Sequence, residues 1–234
     1  MEGRPYISTT PRAMRGIKIS GILRGMSGRK NLLVTFALLA LSTLCLAQQK
    51  TQDTAFAQVC ESISAHKITK GSFSQTKLIK KISREIKSSG TFIVSADDGI
   101  LWNTQRPFAS SMAITKSGII QTAATGKKSV VSAGGNATFE QVSSLMTSLF
   151  NGNADELSKN FEIEFIGSVG NWNVSLTPRD SSIKSFITNI EMAGRATIDT
   201  MVLHEAGGDF TKYEFSNQSF AESLTDEERA AFRE

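Results

Sequence analysis

Apolar residues recur at helical spacing in two long segments of the chain. The first stripe predicts an amphipathic helix and consists of Phe56, Val59, Cys60 and Ile63. After GGNAT (134–138) a second stripe predicts another helix, with Gly152 as its stop, and consists of Phe139, Val142, Leu145, Met146 and Leu149. Thr225 and Glu228 have the spacing of a capping box and predict a short helix near the C-terminus.

Between the two long helices, and again after the second, the pattern changes to short runs of β-branched and aromatic residues. Turn residues divide the first stretch at Gly90, Asp97-Asp98-Gly99, Pro107 and Gly118. In the second stretch, Phe161, Ile163 and Phe165 alternate with two glutamates, which is typical of a strand with one buried face. Later strands are joined by a hairpin turn at Gly207-Gly208. The sequence thus predicts about ten strands in one antiparallel sheet.

A sheet of this length curls, because the twist between neighbouring strands accumulates. The two striped helices need an apolar surface, and the concave face of the curled sheet supplies it. Helices that rest on a concave face leave room beneath them for an apolar ligand. The fold class is therefore α+β, a curved antiparallel sheet with helices over a hydrophobic cavity.

The first 47 residues have the features of a secretory leader. Arg29 and Lys30 precede the apolar run 32–47, which is too short for a membrane anchor and ends in small residues. Met26 opens a compact basic segment, so we expect translation to start there. A lipid-modified Cys45 is the alternative to cleavage after Ala47, although Leu44 before it disfavours that modification. Residues 48–234 are expected to form a single domain.

The net charge of the chain changes sign when this leader is excluded. The whole chain of 234 residues carries +4, but residues 1–47 hold seven basic side chains and one acid. The other 187 residues have 19 basic and 21 acidic side chains, a net charge of −2. This charge argues against a nucleic-acid binder.

Residues that could carry out catalysis or bind metal are few. The chain has two histidines, His66 and His204, on different predicted elements, and after the leader only Cys60 remains as a thiol. We therefore expect no metal site, no cofactor and no enzymatic activity, because the catalytic and phosphate-binding motifs are also missing. An envelope hydrolase is the opposing hypothesis, and replacing both histidines by Gln would test it.

One basic run stands out from the background. It consists of Lys77, Lys80, Lys81, Arg84 and Lys87, interrupted by Ile79, Ile82 and Ile86. The simplest interpretation is a solvated strand edge and loop that discourages edge pairing. A surface for docking a partner or anionic lipid is the functional alternative.

Six short segments carry a resemblance to a known family. They are GSFSQTK (71–77), SSGTFIVSADDGILWNTQRPF (88–108), LMTSLFNGNADELSKNFEIEF (145–165), NWNVSLTPRD (171–180), VLHEAGGDFTKYEFSNQSF (202–220) and LTDEERAAF (224–232). In this order they resemble the LolA-type periplasmic carriers of outer-membrane lipoproteins. The resemblance covers nearly all of the chain after the leader.

The resemblance implies an incomplete β-barrel with helices as a lid over a hydrophobic cavity. It also implies a periplasmic chaperone, expected as a monomer, that takes acylated lipoproteins or lipid from an inner-membrane lipoprotein-releasing transporter to an outer-membrane acceptor. In the family an arginine six residues before the position of Trp102 helps to hold the lid closed. Here that position is Ala96, so control of the lid and the existence of an acceptor are open. A lipid-sensing or regulatory envelope protein that acts through protein contacts is the second hypothesis.

Eleven apolar residues are candidates for contact with the ligand, although ordinary core packing explains any one of them equally well. They are Phe56 and Ile63 on the first helix, Phe92, Val94, Ile100, Trp102, Met112 and Ile114 on the early strands, and Met146, Leu149 and Phe150 on the second helix. Met side chains suit a surface that adapts to varied acyl chains.

Overall fold

A computed structural model of the protein describes residues 53–132 and 137–233, and the side chains of 137–142 lie outside that description. The described residues belong to one unit of the chain, Gln49–Glu234. The predicted leader, with Met26 and Cys45, lies outside the described residues. Two helical residues of the predicted second stripe, Phe139 and Val142, are among those whose side chains are not described.

In the described residues eleven strands form one antiparallel sheet, in the order β6-β5-β4-β3-β2-β1-β11-β10-β9-β8-β7. Their bounds are β1 Ile68–Ile79, β2 Arg84–Ser95, β3 Gly99–Arg106, β4 Ser110–Ile114, β5 Gly118–Ala123, β6 Lys128–Ser132, β7 Phe161–Ser168, β8 Asn171–Pro178, β9 Ile187–Gly194, β10 Ile198–Glu205 and β11 Phe210–Ala221. The two end strands, β6 and β7, do not pair with each other. The sheet is therefore an open half-barrel, as predicted.

The described helices lie before β1, between β6 and β7, between β8 and β9, and after β11. Their bounds are α1 53–64, α2 Ala137–Phe150, α3 Ala154–Asn160, α4 Ser181–Lys184 and α5 Asp226–Ala231, with a 3₁₀ turn at Lys80–Ile82. The capping box predicted for the last helix is present, since the Thr225 side chain accepts from the backbone of Glu228 and the Glu228 side chain accepts from that of Thr225.

Three details differ from the sequence prediction. Strand β6 was missed because all five of its residues are exposed, so it has no buried alternation. Helices α3 and α4 were missed because they are short, although Asn153 and Asp180 cap them in the ordinary way. The basic run is not in an end strand of the sheet. It lies in the β1–β2 hairpin, where β1 is a central strand between β2 and β11 and only residues 84–88 of β2 lack a partner on the β3 side.

The two long helices pack on the inner face of the sheet. Phe56 of α1 meets Phe165 of β7 edge-on at 5.7 Å between ring centroids, and Phe150 of α2 meets Phe215 of β11 at 5.8 Å. Gly152, just after α2, has φ +61°, and a Cβ built on it would lie 2.4 Å from the Cys60 carbonyl oxygen. This glycine ends α2, as predicted, and lets the chain approach α1 closely.

A second apolar cluster lies on the outer face of the sheet. Alternate residues of the early strands point away from α1 and α2, as Ile93 and Leu101 do, and they pack with Leu224 and Phe232 from the C-terminal segment. Lys70 of β1 and Glu228 of α5 form an ion pair of 2.6 Å beside this cluster. The C-terminal segment thus covers one part of the outer face, while α1 and α2 cover the inner one.

Candidate functional site

Aromatic side chains cluster on the inner face around Trp102 of β3. The Trp102 ring centroid lies 4.2 Å from that of Phe73, 5.4 Å from that of Tyr213 and 6.4 Å from that of Phe150. These rings come from three strands and one helix, because β1 pairs with both β2 and β11. Each such pair contributes about 0.5–1.5 kcal/mol beyond its buried area, so the cluster fixes the wall that α2 packs against.

A cavity of about 320 Å³ lies beside this cluster, between α2 and the inner face of the sheet. Its lining residues are Gln75, Ile100, Trp102, Thr104, Ser110, Met112, Ile114, Gln121, Met146, Phe150, Met201 and Tyr213. Its volume is at the lower end of the range for ligand pockets, about 300–1,000 Å³. The site therefore accommodates a slender apolar group while α2 is in place.

The cavity has a closed apolar end and a more open polar end. Ile100 and Ile114, opposite each other at the far ends of β3 and β4, are 2% and 8% exposed. Thr104 and Ser110, paired at the other ends of the same strands, are half-buried, and Gln121 is exposed. A chain that enters from the polar end thus reaches progressively drier surroundings.

No charged side chain lines the cavity in the part of the chain that the structure describes. The most acidic lining group is Tyr213, and burial together with the nearby negative charge of Glu205 raises its pKa to about 12. Tyr213 is therefore neutral at physiological pH. Gln75 accepts a hydrogen bond of 3.1 Å from the Ser88 hydroxyl, which orients its amide. Such a wall favours an uncharged, apolar ligand.

Six of the eleven predicted contact residues meet around this cavity. They are Ile100, Trp102, Met112, Ile114, Met146 and Phe150. Ile63, Phe92 and Val94 instead border a gap of about 20 Å³, which Phe150 also touches. Phe56, Ile63 and Leu149 border a second gap of about 20 Å³ between α1 and the β7–β8 half of the sheet. Ligand contact by any of the eleven stays a prediction, and those around the small gaps pack as core.

Six lining residues were missed by the sequence reasoning. They are Gln75, Thr104, Ser110, Gln121, Met201 and Tyr213. Strand periodicity places Thr104 on the same face as Trp102, so Thr104 was predictable from the sequence. Tyr213 and Met201 were not, because Tyr213 lies opposite Gln75 only through the pairing of β1 with β11, and Met201 lies opposite Tyr213 only through the pairing of β10 with β11.

A second groove, of about 460 Å³, runs between α2, α3 and the turns at the closed end of the cavity. Ala96 and Lys116 line it on the sheet side, and the hydroxyl groups of Ser143, Ser144 and Thr147 line it on the α2 side. The methyl group of Ala96 forms no hydrogen bond to these hydroxyls. Contacts to α2 from this position are therefore van der Waals contacts at most.

The nucleophilic and metal-binding groups do not converge in the described residues. Burial raises the pKa of the Cys60 thiol to about 12, which keeps it protonated and inert. His66 stacks on Phe220, whereas the His204 imidazole lies 3.3 Å from Glu191 on another strand pair. Among the described residues, no group of three His, Cys, Asp or Glu could hold a metal ion.

The family model of the outer membrane lipoprotein carrier protein LolA matches residues 64–228. The chain belongs to the LolA family. The match spans β1 to α5 and thus the whole cavity wall. Comparison with curated protein sequences gave no match.

Solved structures with a similar chain trace include three bacterial proteins. A LolA superfamily protein from Nitrosomonas europaea is 8% identical with a TM-score of 0.41, and 73% of this chain covers 94% of it. A DUF1329 family protein from Desulfovibrio piger is 10% identical with a TM-score of 0.44, and 79% of this chain covers 96% of it. The lipoprotein LppX from Mycobacterium tuberculosis is 10% identical with a TM-score of 0.43, and 75% of this chain covers 98% of it. Assignment to the LolA family depends on the sequence match, because these similarities are too distant to add to it.

Proposed function

We propose that this protein is a periplasmic carrier that binds the acyl chains of lipoproteins and moves them from the inner to the outer membrane. The uncharged cavity beneath α2, in a chain of the LolA family, is the observation that carries the proposal. No helix of the described residues has both the length and the apolar character to cross a membrane. The proposed partners are a lipoprotein-releasing transporter and an outer-membrane acceptor.

The physical need for such a carrier follows from the ligand. An acyl chain exposed to water costs about 0.8 kcal/mol per CH₂, or on the order of 10 kcal/mol for one long chain. The walls formed by Trp102, Met112 and Met146 offset that cost. Release must still be possible, so part of the binding energy has to be lost when α2 moves away from the sheet.

Native mass spectrometry of the protein purified from a periplasmic extract tests this proposal. We expect co-purified lipid or acylated peptide, and an N-terminus at Gln48. A mass that shows lipid on Cys45 would contradict the soluble carrier, and so would a chain that keeps its leader.

Transfer is tested separately, by mixing the loaded protein with acceptor vesicles. A ligand that binds but is not passed on would leave a lipid-binding protein and refute the shuttle.

Two variants of α2, one at a residue that lines the cavity and one at an exposed residue, test where the ligand binds. Met146 of α2 lines the cavity, whereas Ser144 of the same helix is exposed. Met146→Lys places an ammonium group beside the acyl chain, so we expect affinity for a fluorescent fatty acid to fall at least about tenfold. Ser144→Lys adds the same charge outside the cavity and should leave affinity unchanged. Equal affinities in the two variants would place the ligand elsewhere.

A further inference from the structure

Four large apolar side chains are exposed at one end of the half-barrel, the end at which the cavity opens. They are Ile82 and Ile86 in the β1–β2 hairpin, Phe108 in the β3–β4 loop and Phe186 before β9, and they are 60%, 46%, 81% and 59% exposed. We call these four side chains the apolar tips. Antiparallel pairing places all of these connections at one end of the sheet, since Leu78 lies opposite Phe210 and Ser89 opposite Arg106.

The β1–β2 hairpin projects beyond its neighbour on one side. Ser89 is the first residue of β2 that pairs with β3, while β2 begins at Arg84. At about 3.3 Å per residue, the hairpin extends roughly 16 Å past that pair. Ile86 is six residues from Phe92 on the same strand, so both side chains lie on the inner face. An apolar residue therefore lies on the path that leads out of the cavity.

This hairpin is also the most basic segment of the described chain. Residues 77–87 hold five cations and one carboxylate, a net charge of +4, although the chain after the leader has a net charge of −2. Lys80, Lys81 and Arg84 are all exposed. No ion pair engages any of these three side chains among the described residues, so their charges are free to meet a ligand.

The acidic groups nearby reduce this charge without cancelling it, because Glu205 and Asp209 lower the local sum from +4 to +2. Glu85 lies 3.7 Å from Lys87, within the same hairpin, and Glu205 pairs with Lys77 at 2.8 Å. Asp209 accepts a hydrogen bond of 2.9 Å from the backbone N–H of Lys80, and the neighbouring turn is bonded to Phe186 through the Ala206 N–H. These bonds join the β1–β2 hairpin and its cations to the β10–β11 turn and to Phe186.

We infer that this end of the half-barrel docks on an anionic phospholipid bilayer, with the apolar tips in the interface and the cations over the headgroups. Cations flanking exposed apolar residues are the pattern that an anionic membrane surface attracts. The geometry points the open end of the cavity, at Thr104 and Ser110, toward the bilayer. The inference goes beyond the proposed function, because it concerns where the protein loads or unloads and not what it carries.

Vesicle co-sedimentation of the full chain and its variants tests the inference. We expect stronger binding to phosphatidylcholine vesicles that contain phosphatidylglycerol than to phosphatidylcholine alone. Replacing Lys80, Lys81 and Arg84 by Gln should weaken binding to the anionic vesicles on the order of a hundredfold, since each cation near such a surface contributes about 1 kcal/mol. All variants share one N-terminus, so any contribution of the leader cancels in the comparison.

The matched control removes three cations at the opposite end of the sheet, with Lys67, Lys116 and Arg195 replaced by Gln. We expect this variant to bind like the parent. Ile82→Ser with Phe108→Ser should reduce the binding that persists at high salt, where screening has removed the electrostatic part. Equal losses in the two triple variants, or no preference for anionic vesicles, would overturn the inference. Fatty-acid binding in vesicle-free buffer measures the carrier function independently, so the two proposals can fail separately.

Discussion

Replacing Gly152 by Ala tests how closely α1 and α2 approach each other. The residue has φ +61°, and its added Cβ would lie 2.4 Å from the Cys60 carbonyl oxygen and 3.1 Å from the Ile63 Cβ. The left-handed backbone costs an L-residue about 1–2 kcal/mol. Overpacking against a helix backbone adds about 1–3 kcal/mol, because the carbonyl cannot rotate away. We therefore expect the free energy of unfolding to fall by about 2–5 kcal/mol in total.

Gly126→Ala provides the matched control. Gly126 also has positive φ, +78°, but a Cβ there would meet nothing within 4 Å. The difference between the two variants in the free energy of urea-induced unfolding therefore measures the cost of overpacking between the helices, about 1–3 kcal/mol. If Gly152→Ala folds, α2 must shift from α1, so fatty-acid affinity should change as well. Equal losses of stability in both variants would refute a tight contact between the helices.

Three further predictions concern the C-terminal segment and the groove at Ala96. Phe232→Ala should lower the free energy of unfolding by about 3–5 kcal/mol in a urea titration, because the ring is buried on the outer face. The hydrogen bond from Lys70 lowers the pKa of Glu228, so the stability that this carboxylate contributes is present above pH 4.5 and is lost as pH falls below it. Unfolding of Glu228→Gln, compared with the exposed Glu227→Gln across that range, measures this loss, and a constant difference would contradict it. Ala96→Arg brings a guanidinium to the α2 hydroxyls and should slow release of a fluorescent fatty acid, as measured by stopped flow, whereas an unchanged rate would show that lid motion does not limit release.

The secondary structure was largely predictable because it depends on local patterns. Residues Phe161 to Phe165 alternate apolar and acidic side chains, and they form β7 with one buried face. The stripe from Phe56 to Ile63 forms α1. Strand β6 left no such signal, since every one of its residues faces solvent, and α3 and α4 are too short for a period to be visible.

The candidate site was only half predictable. Ile100, Trp102, Met112 and Ile114 share the inner face by strand alternation, and the structure brings them around one cavity. The same rule chose Phe92 and Val94 equally well, although these residues pack in a region with almost no free space. Alternation assigns a face of the sheet, but it contains no information on how far a helix stands from that face.

The amino-acid sequence alone thus determined most of the helices and strands and which face of each is apolar. These properties follow from spacing along the chain, which local sterics and burial translate directly into structure. The family resemblance came separately, from six short segments in a fixed order. The position of the cavity, its polar open end and the covering of the outer face by Phe232 were decided only in the tertiary structure. They depend on pairings such as Gln75 with Tyr213, between residues far apart in the chain, and on small differences in packing that no local pattern encodes.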